Sequence, residues 1–169
     1  SFAKRLNLIE NNKDIILEKT PDNFIWLGFL KLIFPNCKII NCQRNLKDVG
    51  LSLYKKLFLN KSYIWSYNKS TLIQYLDLYK EIIEFWKLHF DKEIFDNNYS
   101  DLIEDPKIQS KKIFEFCDIS WKDEFLKIEN SNKPIETLSY VQARKPIYKT
   151  GIDSYKNFQG FTNLIENIK

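Results

Sequence analysis

Twice in its first third the chain follows a short apolar run with a helix-opening signal, and that recurrence restricts the fold more than any other feature. Lys38-Ile39-Ile40-Asn41-Cys42-Gln43 is too short for a helix and reads as a strand. Asn45, with Asp48 three residues later, then supplies a cap for a helix from about Leu46 to Phe58. Upstream, Ile15-Ile16-Leu17 reads as a buried strand that empties through Glu18 and Lys19 into another helix. Thr20 caps that helix, Pro21 takes its first position, where a missing N–H is harmless, and Pro35-Asn36 stop it after Phe34. Parallel neighbours cannot be joined by a hairpin, so two strand-to-helix units in succession imply an α/β fold: a parallel sheet with crossover helices on its faces.

The clearest helix spans Ser70 to Phe90, where Leu72, Leu76, Tyr79, Ile83, Trp86 and Phe90 recur at three- and four-residue intervals. Glu93-Ile94-Phe95-Asp96 suggests a third strand. Asp105-Pro106 opens a helix to about Cys117, with Ile108, Ile113, Phe114 and Phe116 on its buried side. The ends are less periodic: a short amphipathic helix through Leu6, Leu8 and Ile9, an extended piece from Tyr140 to Ala143, and a short helix after Phe161. No linker divides the 169 residues, so residues 1–169 are expected to form a single domain.

Charge and cysteine content exclude several function classes. With 26 Lys and Arg against 22 Asp and Glu, the net charge is +4, too mild for an electrostatic nucleic-acid binder. No apolar run approaches the roughly 18 residues of a membrane span. Cys37, Cys42 and Cys117 are odd in number and lack metal-ligand spacing, which fits a reducing, cytoplasmic setting and no bound metal.

Arginine is scarce, standing only at positions 5, 44 and 144. A planar guanidinium suits bidentate phosphate recognition, so where those arginines fall matters. Arg44 leaves a strand just ahead of a helix, and Lys19 does the same one unit earlier. Ligands of open parallel sheets sit at such carboxyl ends, where helix N-termini point N–H groups outward, so the two cations make a candidate anion cradle. Each also has an ordinary reading, as a solvated lysine and a surface ion-pair partner. Ser52, two turns into the helix after Arg44, can equally bond a carbonyl one turn back.

The ordered series Glu18-Lys19-Thr20-Pro21-Asp22-Asn23, then Leu32 to Pro35 with Lys38-Ile39-Ile40, then Arg44-Asn45-Leu46-Lys47-Asp48 with Ser52, resembles the sulfotransferase superfamily. It looks most like the bacterial sulfotransferases that often carry tetratricopeptide repeats ahead of the catalytic domain. The resemblance implies a P-loop-NTPase-like fold and the sulfuryl donor 3′-phosphoadenosine 5′-phosphosulfate (PAPS), left as adenosine 3′,5′-bisphosphate after transfer. By the same likeness Arg44 and Ser52 grip the 3′-phosphate, and Lys19 contacts the bridging oxygen or the sulfuryl group. Asn98-Tyr99-Ser100-Asp101-Leu102 resembles the family's Tyr-Glu-Asp-Leu signature and assigns Tyr99 to the adenine, although Ser100 replaces the usual Glu. Gln142-Ala143-Arg144-Lys145-Pro146-Ile147-Tyr148 resembles the loop that closes over PAPS. It adds Arg144, Lys145 and Lys149 to the 3′-phosphate, with Tyr155 where the family usually has Trp.

Other parts of the family pattern have no counterpart. Gly28, Gly50, Gly151 and Gly160 form no glycine-bearing 5′-phosphosulfate loop, and no general base precedes Lys19; His89 ends a helix and reads as a surface residue. The chain is therefore expected to be the carboxy-terminal two thirds of a sulfotransferase domain, holding half a cofactor site and awaiting an amino-terminal segment or repeat domain. The acceptor would be a hydroxyl or amine on a small molecule, carbohydrate or peptide. Tyr63, Trp65 and Tyr67, flanked by Lys61 and Lys69, are candidate acceptor contacts. They equally suit a non-catalytic carbohydrate- or peptide-binding module, or plain packing beneath a loop.

Overall fold

A computed structural model describes residues 15–58, 61–126, 151–158 and 160. Strand β1, Ile39–Gln43, pairs in parallel with β2, Ile94–Asn98, in a register that sets Ile39 against Ile94 and Gln43 against Asn98. The connection between them carries two helices, α2 (Leu46–Lys55) and α3 (Lys69–Phe90). Ahead of β1 lies a 3₁₀ turn, Pro21–Trp26, running into α1 (Leu27–Ile33). After β2 come α4 (Tyr99–Glu104) and α5 (Pro106–Phe116). Helices flanking a small parallel sheet are the α/β arrangement that the strand-to-helix pattern implies.

Local chemistry explains the helix starts. Asn45 accepts from the Lys47 amide at 2.9 Å, Asn68 from Ser70 and Thr71, and Asp105 from Ile108 at 2.9 Å, each satisfying a first-turn N–H. The apolar face of α3 then organises two core clusters. Leu72 and Leu76 join Leu51 of α2, while Ile83 joins Phe24 and Leu27. Polar groups inside this packing have partners, as burial requires. Asn41 of β1 accepts from the Tyr79 hydroxyl at 2.8 Å and donates to Asp96 of β2 at 2.9 Å, and Gln109 donates to Asn97 at 3.3 Å.

Several expectations need correction. Ile15-Ile16-Leu17 is exposed and forms no strand; among the described residues no strand pairs with it, and without a partner an apolar run has no ladder to join. Lys19 therefore leaves an irregular segment. Thr20 makes no side-chain cap, its hydroxyl donating to Glu18 instead, and the helix it precedes opens with a 3₁₀ turn. Helix α2 ends at Lys55, three residues short of Phe58. The strand expected at Glu93–Asp96 is Ile94–Asn98. In α5 Ile108 is exposed, and Gln109 is the inward residue. The expectations for Leu6–Ile9, Tyr140–Ala143 and the helix after Phe161 lie outside the described residues. Among the described residues, no helix is long and apolar enough to cross a membrane, and no group of three His, Cys, Asp or Glu could hold a metal ion.

Candidate functional site

Parallel register builds the site. Gln43 and Asn98 are the last paired residues, so the next residue of each strand, Arg44 and Tyr99, emerge side by side at the carboxyl edge. The Arg44 guanidinium lies 5.1 Å from the centroid of the Tyr99 ring, within cation–π range. Its Nη2 donates to the carbonyl of Gly151, and its Nε is buried with no partner among the described residues. Gly151 fits because it has no side chain: a Cβ there would stand 3.2 Å from both Arg44 Nη2 and the Tyr99 hydroxyl. Beside the arginine is a hollow of about 30 Å³ lined by Arg44, Asn45, Asp48, Tyr99, Ser100 and Ile152. That is room for about two waters, or for the head of an oxyanion, and not for a nucleoside.

Electrostatics and hydrogen bonding favour an anion there. Arg44 contributes a fixed positive charge, and the first turn of α2 ends in outward N–H groups beside Asn45. A buried donor without an acceptor costs about 1–3 kcal/mol, a deficit that an oxyanion reaching Arg44 Nε would remove.

Across the hollow, Asp48 binds a distant stretch of chain. It is 1% exposed and accepts from the Asp153 amide at 2.9 Å, the Ser154 hydroxyl at 2.8 Å and the Tyr155 amide at 3.1 Å. Asp153, left-handed at φ 55°, turns the backbone so that these donors converge. Tyr155 packs against the Leu51–Leu72–Leu76 cluster. Residues 151–155 thus form a strap over the start of α2. In the sequence Asp48 reads as the partner of Asn45 in a cap; instead its carboxylate is spent on the strap. Asp48 and Gly151 escaped the sequence reading. The only local hint was the turn-forming Gly151-Ile152-Asp153-Ser154.

Of the sequence-derived candidates, Arg44 and Tyr99 come together. Ser52 sits one turn beyond Asp48 on α2, exposed and away from the hollow's lining. Lys19 is exposed and also does not line it. Next to Lys19, the hydrogen bond from Thr20 holds the Glu18 carboxyl below its ordinary range, with Asn23 adding to the effect. Arg144, Lys145 and Lys149 lie outside the described residues. Tyr63 stacks on Phe58 at 4.7 Å, Trp65 stacks on Tyr75 at 3.8 Å and packs on the core, and the Tyr67 hydroxyl accepts from the Phe58 amide at 2.6 Å. These three aromatics lie on the 3₁₀ turn Lys61–Tyr67, with Tyr63 and Trp65 partly buried and Tyr67 exposed. His89 is exposed on the last turn of α3, its Nδ1 2.8 Å from the Phe85 carbonyl.

A small parallel sheet flanked by helices, with an arginine, an aromatic ring and a helix start at its strand ends, defines an α/β domain. The chain belongs to the sulfotransferase family, whose profile, described as "Sulfotransferase family", matches residues 2–123. That span includes Lys19, Arg44, Ser52, Tyr63, Trp65, Tyr67 and Tyr99. An "Uncharacterized protein" of Aquifex aeolicus (strain VF5) is 29% identical over 168 residues. The match covers 98% of this chain, and the chain spans 22% of that relative's length. No solved structure matches the chain significantly.

Proposed function

We propose that this chain binds PAPS through its 3′-phosphate and contributes that half of the donor site to an enzyme that sulfonates a hydroxyl or amine. Arg44 carries the assignment: its buried Nε lacks an acceptor among the described residues, beside an oxyanion-sized hollow at the start of α2. PAPS, when bound, supplies the activated sulfuryl group. Transfer between in-line oxygens depends mainly on positioning and on cations near developing charge, so a gripped remote phosphate holds the donor in register. Arg44 and the α2 start grip it, Ser52, further along the same helix, is a candidate additional contact, and Tyr99 offers a ring face to the adenine. Arg144, Lys145 and Lys149 precede Gly151 in the chain and add cations to the same phosphate. Lys19 stabilises charge on the leaving phosphate. Tyr63, Trp65 and Tyr67 are candidate contacts for a small-molecule, carbohydrate or peptide acceptor.

The likeness to repeat-bearing bacterial members makes a tetratricopeptide segment a candidate partner, and the free thiols of Cys37, Cys42 and Cys117 suit the cytoplasm. Calorimetry with adenosine 3′,5′-bisphosphate tests the donor assignment. Binding is expected, and Arg44→Ala is expected to weaken it by tenfold to a hundredfold, the equivalent of about 1.5–3 kcal/mol for a charge-assisted bond. A folded sample that gives no heat at millimolar nucleotide would remove the assignment.

A further inference from the structure

The strap makes no sense as packing alone. It spends three donors on one buried carboxylate and a backbone carbonyl on the arginine that faces the hollow. Asp48 is in the first turn of α2 and Arg44 stands just before its Asn45 cap, four residues earlier, and the strap touches both: residues 153–155 at Asp48, Gly151 at Arg44. A carboxylate accepting several N–H and O–H bonds fixes those groups more firmly than a neutral acceptor does. Tyr155 secures the far end in the apolar cluster of Leu51, Leu72 and Leu76. Gly151, two residues before the first bond to Asp48, is left little freedom, so its carbonyl sets the direction of the Arg44 guanidinium.

We infer that Asp48 is a positioning residue of the anion site: by latching the strap it aims Arg44, and so determines affinity for the phosphate monoester that Arg44 grips. The inference rests on the donor assignment proposed above for its ligand, while the latch itself has a readout of its own. In the protein without nucleotide, the Asp153 and Tyr155 amides are bonded to Asp48 and exchange slowly with solvent deuterium. Asp48→Ala speeds exchange at both. Asp48→Asn keeps an acceptor oxygen but loses the charge, and falls between.

The binding probes are adenosine 3′,5′-bisphosphate and adenosine 5′-monophosphate, which lacks the 3′-phosphate. Asp48→Ala is expected to weaken the bisphosphate at least tenfold and to shrink the preference for it over the monophosphate, with Asp48→Asn intermediate. A purely structural role would weaken both nucleotides equally, and that result would overturn the inference. So would wild-type affinity in Asp48→Ala. If Asp48→Ala does not fold, Asp48→Asn gives the same comparison at smaller amplitude. Wild-type protein that ignores the bisphosphate would defeat the donor assignment and the affinity role together. Unchanged exchange at both amides, with nucleotide binding intact in the wild type, would defeat the latch alone.

Discussion

The phenol of Tyr75 is half-buried between Phe24 and Trp65 and donates to Asp22 at 2.6 Å. Burial first, then that hydrogen bond and the carboxylate's charge, push it far above its ordinary value of 10.0. Tyr79 shifts the same way through burial, with the Asp96 charge adding to it. Above pH 10 the unfolded chain releases these protons while the folded protein keeps them, so stability is full below pH 10 and falls as pH rises beyond it. Tyr75→Phe removes the larger share. Urea midpoints from pH 8 to 11 should fall more gently for the variant than for the wild type, and parallel slopes would contradict this account of Tyr75. No such behaviour is legible in the sequence, where Asp22 and Tyr75 are 53 positions apart. The place of Arg44 at the exit of β1, by contrast, was legible, because it follows from local order: a strand, one cation, then a cap.

Helix α1 is placed by a close approach. A Cβ on Gly28 would lie 2.6 and 2.9 Å from Trp86 Cη2 and Cζ3. The indole cannot easily yield, since its Nε1 donates to the Phe24 carbonyl at 2.8 Å and its ring stacks on Phe90 at 5.6 Å. Alanine raises helix propensity by about 1 kcal/mol, but overpacking against a fixed ring typically costs about 1–3 kcal/mol, so the clash wins. Gly28→Ala should lower stability by about 1–2 kcal/mol in urea unfolding, and pairing it with Trp86→Leu should add less than the two single effects summed. Additive losses would mean that α1 and α3 do not meet there. The elements easiest to foresee were those with local punctuation: α2 behind Asn45, α5 behind Asp105-Pro106, and α3 through its apolar spacing. Ile15–Leu17 misled because a strand is defined by its partner and not by its own residues. The 3₁₀ turns and α4 were missed because segments of three to seven residues carry no periodicity to read.

At the scale of the molecule, α3 ties the core together. Its 22 residues run about 33 Å, so Leu72 and Leu76 serve one cluster and Ile83 the other on a single rigid element. Leu72→Ala and Ile83→Ala should each cost about 2–5 kcal/mol and shift one common thermal transition, seen alike by tryptophan fluorescence and far-ultraviolet dichroism. Two separated transitions would show that the clusters melt independently.

Parallel pairing across a long connection was foreseeable from the strand-to-helix pattern, but the strap was not. Asp48 meets residues 105 to 107 positions further along, and Arg44 meets Gly151 at a separation of 107. Contacts that remote close late, after the loop entropy between them has been overcome. On the ribosome, β1, α2, α3 and β2 can all assemble while Gly151 is still untranslated. A nascent chain in that condition has its sheet but lacks the Gly151 carbonyl beside Arg44, so on the proposed reading of the site, phosphate capture waits until residues 151–155 have emerged.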